Sequence, residues 1–520
     1  MSVQVLNQLD EDVRFLLDNG ALDFLEALAR NFEASRQNLL KLRKEFYEDV
    51  REGRLPDFPA ETRGLRESEW QVAPPPADLE ARRVEITGPA SDRKMVINAF
   101  NSGADVYMSD FEDSHSPHWS LTLAGQKNLF DAIRRRIDFT SPEGKAYKLN
   151  EDIATLAVRP RGLHLLERNL LVDGQPLSGS LFDFGLFLYH NAHKLQDQGS
   201  GPYFYLPKLQ NHREAAWWND VFKFGEAWLG MEPGTIKATV LIEHPFAAFE
   251  MEEILYALRD HITGLNLGRW DYIFGFIKTF AYDSGFLLPD RSLVTMEVEF
   301  LRSAAEHLVY VTHKRGAHAL GGMSAFIPRK DDPEQSAAAL ANVRADKERE
   351  ADQGYDGAWV AHPALVPHVM DVFKTRFKDR PHQKDFVPET RTTAKNLLTI
   401  PEGPISQDGY RNNVSVGLQY LNAWISGRGA AAIFNLMEDV ATAEIARSQL
   451  WQWTHHGAMD QEETLLTPDH YFKIRDEELR ALIDEQGPQQ YAKAVELLDE
   501  IVLSDRFVEF LTLPGMKYLS

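Results

Sequence analysis

Charged side chains stand at the ends of several short β-like runs in this 520-residue chain. The run "ADVYMSD" (104–110) leads into "DFED", which holds Asp110, Glu112 and Asp113. "TLAVRP" (155–160) carries Arg159 and is followed by Arg161, "PYFYLPK" (202–208) ends in Lys208, and "IKATVLIE" (236–243) ends in Glu243. The stretch "GLNLGRWDYIFGF" (264–276) sets Asp271 in front of an apolar run that has no evident use for a charge. Two carboxylates on neighbouring strands, Glu243 and Asp271, with more at "DFED", form the all-oxygen ligand set that a hard divalent cation requires, and magnesium is the metal they suggest. On spacing alone an ion-pair reading stays open, in which Glu243 and Asp271 simply neutralise Arg159, Arg161 or Lys208.

Bringing these groups together requires strands whose C-terminal ends share one rim. Besides the runs above, "VEITGP" (84–89), "WDYIFGF" (270–276), "AHALGG" (317–322) and "GAWVAHP" (357–363) read as strands, which makes eight in all. Amphipathic stretches such as "REAAWWNDVFKFGEAWLG" separate most of them. Strands alternating with helices imply parallel pairing through right-handed crossovers. Eight such units close into a barrel whose site lies at the strand C-termini; a doubly wound open sheet is the alternative. Asp271 precedes its apolar run, so either that strand begins earlier than drawn or the carboxylate hangs from an irregular loop.

The flanking regions have a different texture. Residues 3–54 show helical spacing of apolar positions, and the Pro-rich, charged stretch that follows reads as a linker. After "DRPHQKDFVPETRTT" the strand signal stops and helical patterns return. The expected division is a helical clasp and linker over 1–80, a barrel over 81–400 and a helical domain over 401–520.

Composition narrows the function classes. A formal charge of -22 disfavours nonspecific binding to nucleic acid or an anionic membrane. With no cysteine there is no disulfide framework, thiolate nucleophile or cysteine zinc site. No apolar run of about 18 residues and no secretory leader is evident, and the terminal Tyr518, Leu519, Ser520 differs from a Ser-Lys-Leu address, so a cytoplasmic protein is expected.

The segment "RDHITGLNLGRWDYIF" (259–274) resembles the signature of the malate synthases, in their shorter A-type form. "RRVEITGP", "DFEDS", "VRPRGLH", "GSLFDF", "GSGPYFYLPK", "KATVLIE", "HKRGAHALGGM", "DGAWVAHP", "LMEDVATAEI" and "FLTLPG" resemble the same family in the same order, so the likeness spans nearly the whole chain. It implies a (β/α)8 TIM barrel between an N-terminal helical clasp and a C-terminal helical plug. It also implies a Mg2+-dependent condensation of glyoxylate with acetyl-CoA, then hydrolysis of malyl-CoA to malate and CoA in the glyoxylate bypass. Matched position by position, Arg159 binds glyoxylate and supports the enolate, with Arg161 a spare. Glu243 and Asp271 hold the metal, and Gly268, Arg269, Trp270 and Asp271 form the loop whose amides hold the glyoxylate carboxylate. Glu112 and Asp113 orient metal-bound waters, and Asp439 in "LMEDVAT" is the base. The resemblance also favours a monomer. Lys208 and Arg428 are candidates for the nucleotide end of CoA.

Within "NLMED", Asn435 and Glu438 are spaced as a capping box, and a helix start there would favour ionised Asp439. The simpler reading of Asp439 is an acidic residue serving a helix dipole. "GRGAAA" from Gly427 reads as a turn before a helix, not a dinucleotide loop. "WTHH" (453–456) lacks metal-protease spacing, the tryptophan pairs 217–218 and 451–453 read as packing residues, and "RADKERE" (344–350) reads as a solvated helix face. Two other functions remain. A citryl-CoA or malyl-CoA lyase would need no C-terminal base of this kind, and a non-catalytic barrel scaffold would have lost charged rim residues, none of which is missing.

Overall fold

A computed structural model describes residues 3–328, 332–389, 392–487 and 491–519. Thr390 and Arg391, within "DRPHQKDFVPETRTT", and the terminal Ser520 lie outside the described residues. Eight parallel strands close into a barrel in chain order: β1 (Val84–Pro89), β2 (Val106–Asp110), β3 (Thr155–Arg159), β4 (Tyr203–Leu206), β5 (Lys237–Ile242), β6 (Ile262–Leu267), β7 (His318–Ser324) and β8 (Gly357–Val360). Both faces of these strands are buried, and alternate residues divide between two cores. Val106, Met108, Ala157, Tyr203, Tyr205, Leu241, Leu320 and Trp359 fill the interior. Tyr107, Leu156, Val158, Phe204, Val240, Ile242 and Val360 join the core beneath the outer helices. A parallel sheet covered on both sides therefore reads as near-continuous apolar runs.

One expected strand is misplaced. "WDYIFGF" belongs to a helix, Arg269–Thr279, and the strand is the preceding "ITGLNL". Every residue from Asp271 to Thr279 is buried, so no polar stripe reveals the helical period. The register sets the rim: Asp110 of β2 pairs with Pro89 on one side and Arg159 on the other.

Helix α1 (Asn19–Arg51) begins at Asp18, whose carboxylate accepts from the Ala21 amide. Its buried Phe24, Leu25, Leu28 and Phe32 recur at helical spacing and face the barrel's outer helices. Before it, Val3–Val5 is a short strand paired with residues 170–172, where helix was expected. Arg43 of α1 is buried against Glu214 and also donates to the Lys208 carbonyl at 2.9 Å, which ties the clasp to the end of β4.

The C-terminal region has a core of its own, built on α2 (Gln407–Ile425), α3 (Val440–His455) and two further helices, Pro468–Gln486 and Ala492–Leu503. Every residue of α3 from Val440 to Thr454 is buried. Its polar side chains grip main-chain carbonyls of the barrel: Gln449 donates to Pro289, Gln452 to Phe286 and Trp453 to Leu288, at 2.8, 3.1 and 2.9 Å. His455 stacks on Trp451 and His456 lies 2.8 Å from the Ala281 carbonyl, so both have structural places. Trp217 likewise joins helix His212–Leu229 to α1, donating to Ser35.

Three local expectations fail. "GRGAAA" leads into a hairpin, Ala431–Ile433 paired with Leu436–Glu438, and no helix follows the turn directly. The helix after it starts at Asp439, not Asn435. In "RADKERE", Lys347 and Glu350 are buried and Lys347 donates to the Gly322 carbonyl; only part of that face is solvated.

Candidate active site

The C-terminal end of the barrel opens into a cleft bordered by Asp113, Arg159, Glu243, residues 268–271 and, from the C-terminal region, Asp439. Strand ends supply Arg159 and Glu243, and the "DFED" loop after β2 supplies Glu112 and Asp113. Asp110 organises that loop by accepting the amides of Glu112 and Ser114, both at 2.8 Å. It also takes a two-pronged contact from Arg159, with Nε at 2.7 Å and Nη2 at 2.6 Å. The third guanidinium nitrogen turns to Asp113 at 3.1 Å.

Asp271 sits in the first turn of helix Arg269–Thr279, immediately after β6. Gly268 caps that helix without a side-chain hydrogen bond, so the first-turn amides beside the cleft are available to an anion. Gly268 is closely approached by Glu243: a Cβ on Gly268 would lie 2.5 Å from the Glu243 Cγ. Glycine is required here by space, since its φ of -80° is open to any residue.

Carboxylate oxygens of Asp113, Glu243 and Asp271 lie within 4.8 Å of one another, all buried. The sequence reading assigned Asp113 only to water orientation; the geometry puts it in the same cluster as the other two. Lys208 lies among them, with Nζ 2.7 Å from Asp113, 2.7 Å from Glu112 and 3.1 Å from Asp271. This position rules Lys208 out of the role suggested for it at the nucleotide of CoA. The same residue has φ of 55°, a sparsely populated conformation for a side chain with Cβ, and its amide donates to Glu243 at 2.7 Å. Arg428 is exposed. Arg161 is buried against Asp183 and Glu167 behind the rim, as a structural ion pair.

Six buried carboxylates, of Asp110, Glu112, Asp113, Glu243, Asp271 and Asp439, share two buried cations, Arg159 and Lys208. The charge imbalance is visible in their titration. Burial would raise Asp110 and Asp113, but Arg159 holds the former, and Lys208 with Arg159 the latter, below the carboxylate range. Glu112 and Asp271 are pushed well up by burial and by Asp113, and Glu243 is raised chiefly by burial. Asp271 Oδ1 is buried with no hydrogen-bond partner among the described residues. Excess anionic oxygen with an unused lone pair fits a divalent cation held by Glu243 and Asp271, with Asp113 beside them.

Asp439 reaches this cleft from the start of α3. It is the N-cap, reciprocally bonded with Thr442, yet burial and then Asp113 raise its carboxyl to about 7. The expected stabilisation of the ionised form by the helix terminus is outweighed. The Val440 amide fastens this end of α3 to the acidic loop, donating to the Asp113 carbonyl at 3.1 Å; the Tyr420 hydroxyl of α2 donates to the Gly429 carbonyl at 2.7 Å and lies 3.3 Å from the same Asp113 carbonyl. Gly429 makes room for that contact, since a Cβ there would fall 2.4 Å from the His115 backbone. Asp110 and Tyr420 have no assigned role in the sequence reading, and Lys208 has a different one. "DFED" offered a signal for Asp110, but nothing near Tyr420 in sequence points to a residue some 300 positions earlier.

Comparison with known proteins agrees along the whole length. Residues 1–63 match the model of the malate synthase N-terminal domain, 155–400 that of the malate synthase TIM barrel domain and 404–519 that of the malate synthase C-terminal domain. The malate synthase of Myxococcus xanthus is 49% identical over 98% of this chain and 95% of its own length. Malate synthase A of Escherichia coli is 45% identical over 98% and 97%, and the glyoxysomal malate synthase of Candida tropicalis 45% over 98% and 94%. The chain belongs to the malate synthase family.

Proposed function

We propose that this cleft condenses glyoxylate with acetyl-CoA and hydrolyses the product to malate and CoA, with Asp439 as base and Arg159 as oxyanion support. One observation carries the reading: a carboxylate from the C-terminal region borders the same cleft as Arg159, Glu243 and Asp271. Neither a lyase barrel alone nor a scaffold needs that convergence.

The first-turn amides after Gly268 hold the glyoxylate carboxylate, favoured by the helix dipole. Asp439 takes a proton from the acetyl methyl group, giving a thioester enolate. Arg159 is kept charged and immobile by Asp110, so it meets the developing negative charge without reorganising. Glu243 and Asp271 would hold Mg2+, assisted by Asp113, and the ion when bound supplies Lewis-acid polarisation of the aldehyde. Lys208 fixes the spacing of Asp113 and Asp271, and Glu112 lies beside it. Trp270 and Arg269 wall the cleft, with the guanidinium 4.3 Å from the indole centroid.

The same reading divides the chain at about residues 80 and 400, and takes the protein as a cytoplasmic monomer that binds neither nucleic acid nor membrane. Supporting it, the net charge is -22 and no helix among the described residues is long and apolar enough to cross a membrane. Light scattering should then return the chain mass of 59.2 kDa. The direct test follows CoA thiol release from acetyl-CoA with and without glyoxylate, and with Mg2+ or a chelator. The absence of cysteine removes protein background. Release that ignores glyoxylate would overturn the reading.

A further inference from the structure

The second half of the proposed reaction consumes one water, whereas the first half is spoiled by it, because water quenches the enolate. Two small cavities lie behind the acid cluster, away from the open cleft. The first is bordered by Gln210, Glu243, Asp271, Lys278 and Phe510. The second is bordered by Glu112, Asp113, His164, Thr512, Val440 and again Phe510. Each leaves about 10 Å³ for the centre of a water molecule, room for about one.

Their linings are short of partners. Gln210 Oε1 in the first, and Glu112 Oε2, His164 Nδ1 and Thr512 Oγ1 in the second, are buried without a hydrogen bond among the described residues. Lys278 is buried with its ammonium 3.9 Å from the centroid of Phe510 and 5.0 Å from that of Phe274, and forms no ion pair among the described residues. Burial lowers that ammonium to about 7. Buried polar atoms without protein partners are the usual mark of ordered water. Phe510 and Lys208 line both cavities, and the Phe510 ring stacks on His164 at 3.8 Å and lies under Lys278. Among the described residues, the cavities share with the open cleft members of the acid cluster only, the first Glu243 and Asp271, the second Asp113.

We propose that these cavities store the water that hydrolyses the malyl thioester, and that Phe510 and Lys278 are positioning residues that retain it until carbon–carbon bonding is complete. This rests on the condensation reading above. In the step itself the water oxygen bonds to the thioester carbon and the carbon–sulfur bond breaks, leaving its electron pair on sulfur. One water proton ends on that sulfur, and the other is released as the new carboxylate ionises.

The test compares the full-length enzyme with Lys278→Met and Phe510→Leu by rapid quench, using labelled acetyl-CoA and separating malyl-CoA from malate. Bond formation should stay within about twofold of the parent while malyl-CoA persists about tenfold longer. Malyl-CoA supplied directly should be hydrolysed correspondingly more slowly. Equal loss of both half-reactions, or unchanged hydrolysis in both variants, would overturn the proposal. A high-resolution crystal structure of the parent gives a reading independent of variant folding: water bonded to Gln210 Oε1 and to Glu112 or His164 supports the store, and dry cavities overturn it. A parent that forms no malyl-CoA at all would instead bring down the condensation reading.

Discussion

The two ends of the barrel carry buried charge in opposite ways. At the N-terminal end Arg82 donates to Glu85 at 2.7 Å, to Thr263 at 3.1 Å and to Tyr205 at 2.9 Å. Tyr205 and Trp359 in turn donate to Glu85, and among the described residues none of these five side chains has an unsatisfied buried polar atom. One cation faces one carboxylate, and every donor has an acceptor. At the C-terminal end six carboxylates outnumber two cations, Glu112 and Asp271 each keep an oxygen without a hydrogen bond among the described residues, and Lys208 holds a strained backbone. The closed network fills space and fixes register; the open one is prepared to receive charge. Both groups are buried, so the state of satisfaction, and not burial as such, separates structure from chemistry.

Four experiments would break or sharpen that contrast. Asp439→Asn should have the largest effect, a loss of about 10³-fold or more in CoA release with glyoxylate and Mg2+ binding by calorimetry nearly intact, since only the proton acceptor is removed. Unchanged turnover would remove Asp439 from the mechanism. Arg159→Lys comes next: a point charge cannot reproduce the fork on Asp110 and reach Asp113 as well, so kcat/KM should drop about 10²-fold. Third, Mg2+ should stabilise the protein by about 2.7 kcal/mol at a hundredfold excess over Kd, seen as a rise in melting temperature that chelator reverses and Glu243→Gln abolishes. The smallest catalytic effect belongs to the opposite end. Arg82→Met leaves Glu85 buried and unpaired, so stability to urea should fall by about 3–5 kcal/mol while kcat per folded molecule stays within about twofold. Comparable loss of kcat would mean the two ends are coupled and the contrast is false.

Much of this arrangement is legible in the chain because strand ends in a barrel are fixed by local patterns. Arg159 and Glu243 terminate runs that are unmistakably apolar, and the barrel rim follows from their alternation with helices. Asp271 stands out in the sequence and lies in the buried carboxylate cluster, but on a different element from the one expected, because "ITGLNL" contains glycine and asparagine, poor strand formers, and the buried helix after it lacks a polar face. Residues defined by long-range docking were harder. Lys208 reads as an ordinary basic strand end until the "DFED" loop and the start of helix Arg269–Thr279 close around its ammonium. Asp439 was recognised by family likeness, but its protonation depends on burial beside Asp113, which no helix-terminus rule contains. The same is true of "RADKERE": its composition is that of a surface helix, and only the approach of Gly322 accounts for buried Lys347 and Glu350.

The grip of α3 on residues 286–289 has a consequence for how such an enzyme can drift. Gln449, Gln452 and Trp453 hold the carbonyl groups of their partner segment, which every amino acid possesses. Substitutions along that segment can accumulate without loosening the joint, and the tether that keeps Asp439 aimed inward survives them.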